Sequence, residues 1–211
     1  MTSFSRRAFA AAALGSLLTG CGGGNAPSAG GGTRTSGTGR PGSTPPSSSP
    51  SAKAARPLGR SVPVGLRIPA IGVDTPVIRL GLAPDGSVRV PPVTAHDRAG
   101  WYRHSPTPGQ TGPSVILGHV TVGSYGDGVF RRLARLHRGD EIVARLENGT
   151  AAVFTVGAVR TVPKADFPVE DVYGDVDRPE LRLITCGGPR SGDGYLDNVI
   201  VFATLSGSSP P

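Results

Sequence analysis

Cysteine is nearly absent from this chain, which has two, Cys21 and Cys186, in 211 residues. A framework of disulfides is therefore excluded as the source of its stability. Aromatic residues are also few, at 5%, with a single tryptophan. No apolar run reaches the length of about 20 residues that a membrane-spanning helix needs. The composition fits one ordinary domain with low-complexity appendages.

Acidic residues are missing from residues 1–61, which carry seven of the 22 basic side chains. The remaining 15 basic residues equal the 15 acidic ones, so the net charge of +7 belongs entirely to the N-terminal part. A basic balance confined to a leader and tail is poor evidence for nucleic-acid binding by the folded part. We therefore expect no nucleic-acid partner.

Residues 1–21 have the three parts of an export signal: the basic pair Arg6-Arg7, a weakly apolar run over 8–18, and small residues. Leu18-Thr19-Gly20-Cys21 resembles the lipobox of bacterial lipoproteins, in which the cysteine is lipidated and becomes the mature N-terminus. Ser5-Arg6-Arg7-Ala8-Phe9 resembles a twin-arginine export motif. We expect Cys21 to anchor the protein at the outer face of the cytoplasmic membrane. An ordinary cleaved signal with an incidental Cys21 is the alternative.

Residues 22–61 are dominated by Gly, Ser, Pro, Ala and Thr and have no apolar periodicity. Such a segment buries too little to offset its ordering entropy, so we predict a disordered linker. Its root-mean-square reach is roughly 35 Å for about 40 flexible residues. It is expected to set the distance between the membrane and a folded domain at 62–206. Residues 207–211 are predicted to be a disordered tail.

The domain is predicted to be all-β. Short β-prone runs separated by turn signals such as Pro84-Asp85-Gly86 and Glu147-Asn148-Gly149 recur along it. The predicted strands are 64–68, 77–80, 87–90, 114–117, 141–146, 152–162, 181–185 and 198–205. Eight strands over about 145 residues favour a closed or nearly closed eight-stranded β-barrel.

Helices are expected to be few and short. Residues 129–136 have apolar side chains at Phe130, Leu133 and Leu136, which predicts one brief helix with a packing face. The segment 161–180 is long for a connection in a compact barrel and is predicted to form one wall of a peptide groove. It contains six acidic residues but no calcium-loop motif of fixed spacing, so no metal and no cofactor are expected.

Cys186 ends a short apolar run and precedes two glycines, so a buried strand is expected to deliver its thiol to an exposed end. A thiol at neutral pH is only slightly ionised and needs a neighbouring base or positive charge. Of the four histidines, His119 alone ends an apolar strand-like run, residues 114–118. A similarly placed Cys and His predict a nucleophile and its proton-transfer partner.

Leu117-Gly118-His119-Val120 and Leu183-Ile184-Thr185-Cys186 resemble the His and Cys signatures of sortases, the Gram-positive cysteine transpeptidases. The similarity is greatest to the actinobacterial class F group and runs in order through residues 62–205. Further matching segments are Gly100-Trp101-Tyr102, Val129-Phe130-Arg131-Arg132-Leu133, Gly139-Asp140, Phe167-Pro168 and Val172-Tyr173-Gly174.

The resemblance implies the eight-stranded sortase barrel, with Cys186 as the nucleophile and His119 as the proton-transfer residue. It also implies surface proteins with a Leu-Pro-x-Thr-Gly-type sorting signal as substrates. A peptidoglycan stem or another amine would be the acceptor, after a thioacyl intermediate on Cys186.

Sortases also use an arginine at or just before the final strand to stabilise the oxyanion. Tyr195-Leu196-Asp197-Asn198 occupies that region here and contains none. Arg190 and Arg182, each four residues from Cys186, are the nearest alternatives, and the Asn198 amide is a neutral one. The sequence leaves the third catalytic group open among them.

Other classes remain as alternatives. An L,D-transpeptidase places its His shortly before its Cys, whereas 66 residues separate His119 from Cys186. A papain-like peptidase has its Cys ahead of its His, at the start of a helix. A lipid-anchored wall-binding protein with a degenerate sortase site is the non-enzymatic alternative.

Overall fold

The computed structural model describes residues 55–192 and 194–210. The export signal, the lipidation site at Cys21 and the linker up to residue 54 lie outside the described residues. The strands are β1 (Pro63–Ile68), β2 (Val73–Leu80), β3 (Ala99–Tyr102), β4 (Gly112–Leu117), β5 (Thr121–Val122), β6 (Gly126–Asp127), β7 (Glu141–Leu146), β8 (Ala151–Pro163), β9 (Pro179–Ser191) and β10 (Gly194–Ser209). Helix α1 is Val169–Tyr173.

Eight of these strands close into a barrel in the order β1-β2-β3-β4-β9-β10-β8-β7, with β7 pairing back onto β1. The β2–β3 and β4–β9 pairs are parallel, and the other barrel pairs are antiparallel. The short strands β5 and β6 form a separate two-stranded sheet. The predicted eight-stranded β-barrel is confirmed.

Strand β4, residues 179–185 of β9 and residues 199–201 of β10 are buried on both faces, which explains their nearly continuous apolar sequence. Ile116, Leu183 and Val201 point into the main core with Trp101, Phe130 and Phe154. On the opposite face, a second cluster is formed by Leu80, Val115, Leu117, Val172, Ile184 and Ile200. Val172 comes from α1, so the connection between β8 and β9 covers this second face.

The predicted strand at 87–90 is wrong. Only one bridge, between Leu82 and Val88, forms there, and Val90 is 58% exposed. Pro91 and Pro92 follow directly and lack the N–H groups that a ladder needs. The eighth barrel strand is instead β3, whose Ala-Gly-Trp-Tyr sequence has no β-branched residue.

The predicted helix at 129–136 is also wrong in extent. It is reduced to one 3₁₀ turn at Leu133–Arg135. Phe130, Leu133 and Leu136 are nevertheless all buried in the main core. The prediction that these three side chains pack together was therefore correct. The α-helix of the described chain is α1, inside the segment expected to be a groove wall.

Contacts with the barrel continue past both domain boundaries that the composition predicted. Leu58 packs against the main core and donates its N–H to the carbonyl of Gly109 at 2.8 Å. The N–H of Ser61 donates to Oγ1 of Thr107. At the other end, β10 pairs with β8 as far as Ser209.

Candidate active site

Cys186 lies where strand β9 passes from the barrel wall to its exposed end. Residues 179–185 are buried, Cys186 is partly exposed, and residues 188–191 are exposed. Cys186 is a free cysteine. A strand buried on both faces therefore presents one thiol at the boundary between core and solvent, where a reactant can reach it.

His119 leaves the barrel beside it. Leu117, the last residue of β4, is the register partner of Ile184 on β9, and the two strands are parallel. His119 and Cys186 each follow two residues later in their own chain. The N–H of Gly118 donates to the carbonyl of Ile184, and Oγ1 of Thr185 donates to the carbonyl of Gly118 at 2.8 Å. The fold thus brings the two predicted residues together at one end of the barrel.

The imidazole of His119 is held in place by the backbone around it. Its Nε2 lies 2.7 Å from the carbonyl oxygen of Pro91. Because a carbonyl oxygen only accepts, Nε2 carries a proton, and in the neutral ring Nδ1 holds the free lone pair. The carbonyl of His119 accepts the N–H of Phe130, and Gly128 packs directly against the His119 backbone. Within residues 55–192 and 194–210, no hydrogen bond joins this ring to the Cys186 thiol.

Two clefts meet at Cys186, and Val120 and Tyr195 line both. The hairpin cleft, of about 380 Å³, is further lined by Thr121, Lys164 and Arg190. The turn cleft, of about 260 Å³, is further lined by Arg131, Ala134 and Gly188, among other residues. The thiol is therefore open to two approaches, and Val120 and Tyr195 border both of them.

Arg190 lies on the β9–β10 hairpin at the edge of the hairpin cleft. It is the register partner of Tyr195, and its Cζ atom lies 5.3 Å from the centre of the Tyr195 ring. This separation is within the range of a cation–π contact. The hydroxyl of Tyr195 is in turn 2.9 Å from Oγ1 of Thr121, beyond β4. The guanidinium of Arg190 thus lies against a ring whose hydroxyl is bonded to Thr121, another residue that lines the cleft.

Asn198 is the register partner of Cys186 on the adjacent antiparallel strand. Directly opposed residues of such a pair share a face, with Cβ atoms about 4.5–5.5 Å apart. The register therefore puts Asn198 next to Cys186 on the sheet, although Asn198 lines neither cleft. Leu196, in the region where an arginine was expected, sits at a register shift and is 50% exposed.

Arg182 is placed elsewhere. Its side chain is only 4% exposed and is paired with the carboxylate of Glu180. Its Nε donates to the carbonyl of Asp171 at 3.0 Å, and its guanidinium stacks over the Phe202 ring. These contacts fasten α1 to the barrel wall and leave Arg182 outside both clefts at Cys186.

A larger cavity of about 500 Å³ lies away from the thiol, on the outer face of β4. Val115 forms part of its floor, and Val169 and Tyr173 of α1 form part of one wall. Burial raises the pKa of Tyr173 above its ordinary value, with a smaller contribution from the nearby Tyr102. Neither Cys186 nor His119 lines this cavity, so its size alone does not mark the reactive centre.

Among the described residues, no three His, Cys, Asp or Glu side chains are grouped as ligands for a metal ion. The acidic residues of the 161–180 segment are in part engaged with arginines instead. Asp171 pairs with Arg160 at 2.7 Å, and Glu180 pairs with Arg178 at 2.6 Å and with Arg182.

The fold agrees with a family comparison. Residues 66–206 match the family model described as Sortase domain. The chain belongs to the sortase family. No curated protein matches it significantly.

Solved sortase structures share the fold. The SrtA sortase from Actinomyces oris is 26% identical, with 76% of this chain and 89% of that one covered at a TM-score of 0.52. Sortase A from Listeria monocytogenes is 17% identical, with 70% and 90% covered at a TM-score of 0.51. The Clostridium perfringens sortase D5 transpeptidase is 23% identical, with 69% and 78% covered at a TM-score of 0.51.

Membership of the sortase family makes this protein a transpeptidase of the cell surface, with surface proteins and amine acceptors as its reactants. The class F assignment stays a prediction. In the part of the chain that the structure describes, no helix has both the length and the apolar character to cross a membrane.

The sequence did not indicate that Thr121 and Tyr195 lie at the candidate site or that their side chains are bonded to each other. They are 74 positions apart, and neither stands out in its own segment. Lys164 in the hairpin cleft was missed for the same reason. Only the closure of the barrel end places these side chains around one thiol.

Proposed function

We propose that this sortase cleaves a Leu-Pro-x-Thr-Gly-type sorting signal through a thioacyl intermediate on Cys186 and transfers the acyl group to a cell-surface amine. The observation that carries the proposal is the exit of Cys186 and His119 from adjacent parallel strands at one barrel end. The Cys186 thiolate attacks the threonine carbonyl carbon, forming a carbon–sulfur bond. Collapse of the tetrahedral species breaks the bond to the glycine nitrogen.

His119 acts on the proton in both half-reactions. In the first it protonates the departing glycine amine, and in the second it takes a proton from the incoming amine. The contact between Nε2 and the Pro91 carbonyl supports Nδ1 as the atom that exchanges the proton, since Nε2 is already committed. The absence of a thiol–imidazole hydrogen bond does not oppose this role, because catalytic contacts often tighten only when substrate binds.

The oxyanion is assigned to Arg190, with Asn198 as the alternative. Arg190 shares the hairpin cleft with Cys186 and brings a positive charge. Asn198 lies closer along the sheet but offers only a neutral amide. The ion pair of Arg182 with Glu180 argues against the third candidate. Removing one such donor from an enzyme costs about 100- to 1000-fold in kcat.

The acyl donor is proposed to lie along β4, with the β8–β9 connection as one wall. Val115, in the 500 Å³ cavity, is four residues before His119, a distance of about 13 Å at the rise of an extended strand. Four extended residues of a peptide span a similar length. The apolar leucine of the sorting signal would then reach this cavity while the threonine carbonyl lies at the thiol.

The location follows from the sequence. Cys21 is proposed to carry the lipid, and the segment after it to hold the domain away from the outer face of the cytoplasmic membrane. The partners are sorting-signal-bearing surface proteins and a peptidoglycan stem or another amine acceptor.

Intact-mass analysis tests the reaction directly. The chain without its leader is incubated with a panel of sorting-signal peptides, with and without triglycine. The expected result is an acyl adduct on Cys186 that triglycine removes as a new amide product, and no adduct on Cys186→Ala. Failure of every peptide to acylate the folded protein would contradict the proposal.

That failure would favour the alternative, a wall-binding protein with a degenerate site or another wall-directed cysteine enzyme. One observation supports the first of these: Leu196 and its neighbours supply no arginine where sortases carry one. Binding of the leaderless chain to isolated cell walls, unchanged in Cys186→Ala, would then be the property to measure.

A further inference from the structure

Arg131, which lines the turn cleft, belongs to a run of arginines that the proposed reaction does not use. Residues 131–138 contain Arg131, Arg132, Arg135 and Arg138 and no acidic residue. All four are exposed on and around the 3₁₀ turn Leu133–Arg135, whose apolar residues anchor it to the core. We refer to these four residues as the arginine face.

Little of this positive charge is neutralised within the described part of the chain. Arg131 pairs with Asp127 at 3.0 Å, whereas Arg132, Arg135 and Arg138 make no ion pair there. The nearest following carboxylate, Asp140, accepts the backbone N–H of His137 at 2.8 Å. Three guanidinium groups therefore remain available to a ligand.

One residue of the arginine face lies at the reactive centre: Arg131 lines the turn cleft, together with Ala134 and Cys186. Arg132, Arg135 and Arg138 are exposed within seven residues of Arg131 along the chain. The hairpin cleft contains Arg190 and, from the β8–β9 connection, Lys164. These are the elements assigned above to the acyl donor and its oxyanion.

The two half-reactions indicate which reactant would occupy the turn cleft. The departing amine and the attacking amine pass through equivalent tetrahedral species, so both occupy the side of the thiol opposite the acyl chain. In the second half-reaction the amine nitrogen bonds to the thioester carbonyl carbon and the carbon–sulfur bond breaks. His119 receives the amine proton, and sulfur leaves as the thiolate. The turn cleft is the free approach for that amine.

We propose that the turn cleft and the arginine face form an acceptor site selective for an amine carried on an anionic molecule. The inference rests on the proposed transpeptidation and names the class of its second substrate. The anionic group is a carboxylate or a phosphate near the amine, which both pair with exposed guanidinium groups. A peptide acceptor would offer the first, and a phosphate-bearing wall precursor the second.

Competition between acceptors tests this selectivity. The acylated enzyme is offered four peptide amides: triglycine alone, triglycine followed by two glutamates, triglycine followed by phosphoserine, and triglycine followed by two lysines. Amide product is measured for each acceptor against the neutral one. We expect the anionic acceptors to be used about 3- to 10-fold better than the neutral one, given the modest worth of exposed charge pairs. The cationic acceptor is expected to be the poorest, and the glutamate and phosphoserine arms identify the preferred anion.

Substitution of the arginines supplies the matched controls. The double variant Arg131→Gln/Arg135→Gln should lose most of the preference, and added salt at about 1 M should have the same effect on the unmodified chain. Arg67→Gln, on β1 across the barrel, should retain the preference. Each preference is a ratio within one variant, so differences in acylation rate cancel. Equal use of neutral and anionic acceptors, or an unaltered ratio in the double variant, would overturn the inference.

A binding measurement separates this failure from that of the proposed reaction. Cys186→Ala is titrated with the same acceptors, and the backbone amide shifts of residues 120, 131–138 and 187–188 are followed by NMR. If anionic acceptors bind there but the unmodified chain is never acylated, the acceptor site is supported and the proposed transpeptidation is contradicted. If the chain is acylated but neither assay shows charge selectivity, the proposed transpeptidation is supported and the anionic acceptor site is contradicted.

Discussion

The hydroxyl of Tyr195 and Oγ1 of Thr121 lie 2.9 Å apart and join the β9–β10 hairpin to β5. Both residues line the cleft that contains Cys186. Because Arg190 stacks on the same ring, this hydrogen bond also fixes the support of the guanidinium. The position of the proposed oxyanion residue thus depends on a contact that closes the barrel end.

Tyr195→Phe is expected to slow acylation of Cys186 by up to about tenfold, because it removes a hydrogen bond worth about 0.5–1.5 kcal/mol. The phenyl ring preserves the contact with Arg190. Thr121→Val should have a similar effect, and the double variant should be no slower than either single one. Single-turnover acylation rates measure this coupling, and additive effects would show that the pair does not act as a unit.

Arg190→Ala should lower the acylation rate by about 100-fold or more, as expected when an oxyanion donor is lost. Arg190→Lys should recover part of the rate because it keeps the charge but not the planar fork. Asn198→Ala should have the smaller effect. Arg98→Ala, an exposed arginine outside both clefts, serves as the control. A larger loss of acylation rate in Asn198→Ala than in Arg190→Ala would assign the oxyanion role to Asn198.

Arg182→Met should lower the free energy of unfolding by about 3 kcal/mol, because it leaves Glu180 nearly buried beside a mostly exposed Arg178. The acylation rate of the folded fraction should be retained. Arg182→Met/Glu180→Leu should regain stability, since apolar replacement of a buried pair is often neutral. Denaturant unfolding and acylation are measured on the same samples. A loss of rate without a loss of stability would restore Arg182 as a catalytic candidate.

Gly128→Ala should displace His119. A Cβ at residue 128 would lie 2.6 Å from the His119 Cβ and closer still to its carbonyl group. Because the added methyl group would overlap backbone atoms, the His119 backbone would have to shift. We therefore expect a loss of about 1–3 kcal/mol in the free energy of unfolding and slower acylation. Gly59→Ala is the matched control, because nothing lies within 4 Å of its added Cβ. Equal thermal midpoints and rates for the two variants would contradict this packing.

Tyr173→Phe should improve stability at high pH. Burial raises the pKa of Tyr173, so its neutral form is favoured in the folded state. The resulting stability is fully present below the unfolded pKa of about 10 and is lost as the pH rises through the folded value. Thermal midpoints of the two proteins should therefore diverge above about pH 10. Parallel midpoints across that range would show that Tyr173 ionises as freely as an exposed tyrosine.

The strands that could be predicted were those whose local pattern and tertiary role agree. Residues 114–117 and 181–185 read as buried strands because β4 and β9 are covered on both faces. Residues 87–90 have similar local propensity but no neighbouring strand and end at two prolines. Residues 99–102 have weak propensity and become β3 because they lie between β2 and β4. Strand identity was decided there by pairing rather than by composition.

The sequence by itself determined an all-β domain, a predicted nucleophile with its histidine, and the absence of an arginine from Tyr195-Leu196-Asp197-Asn198. These features are local: a strand-end thiol and a strand-end imidazole can be recognised within their own segments. Tertiary structure alone decided which arginine lines a cleft with the thiol. Arg182 and Arg190 are equally distant from Cys186 in the chain, yet one is paired with Glu180 behind α1 and the other lines the hairpin cleft. The difference arises because a side chain's neighbours are set by strand pairing and by the segment that covers each face.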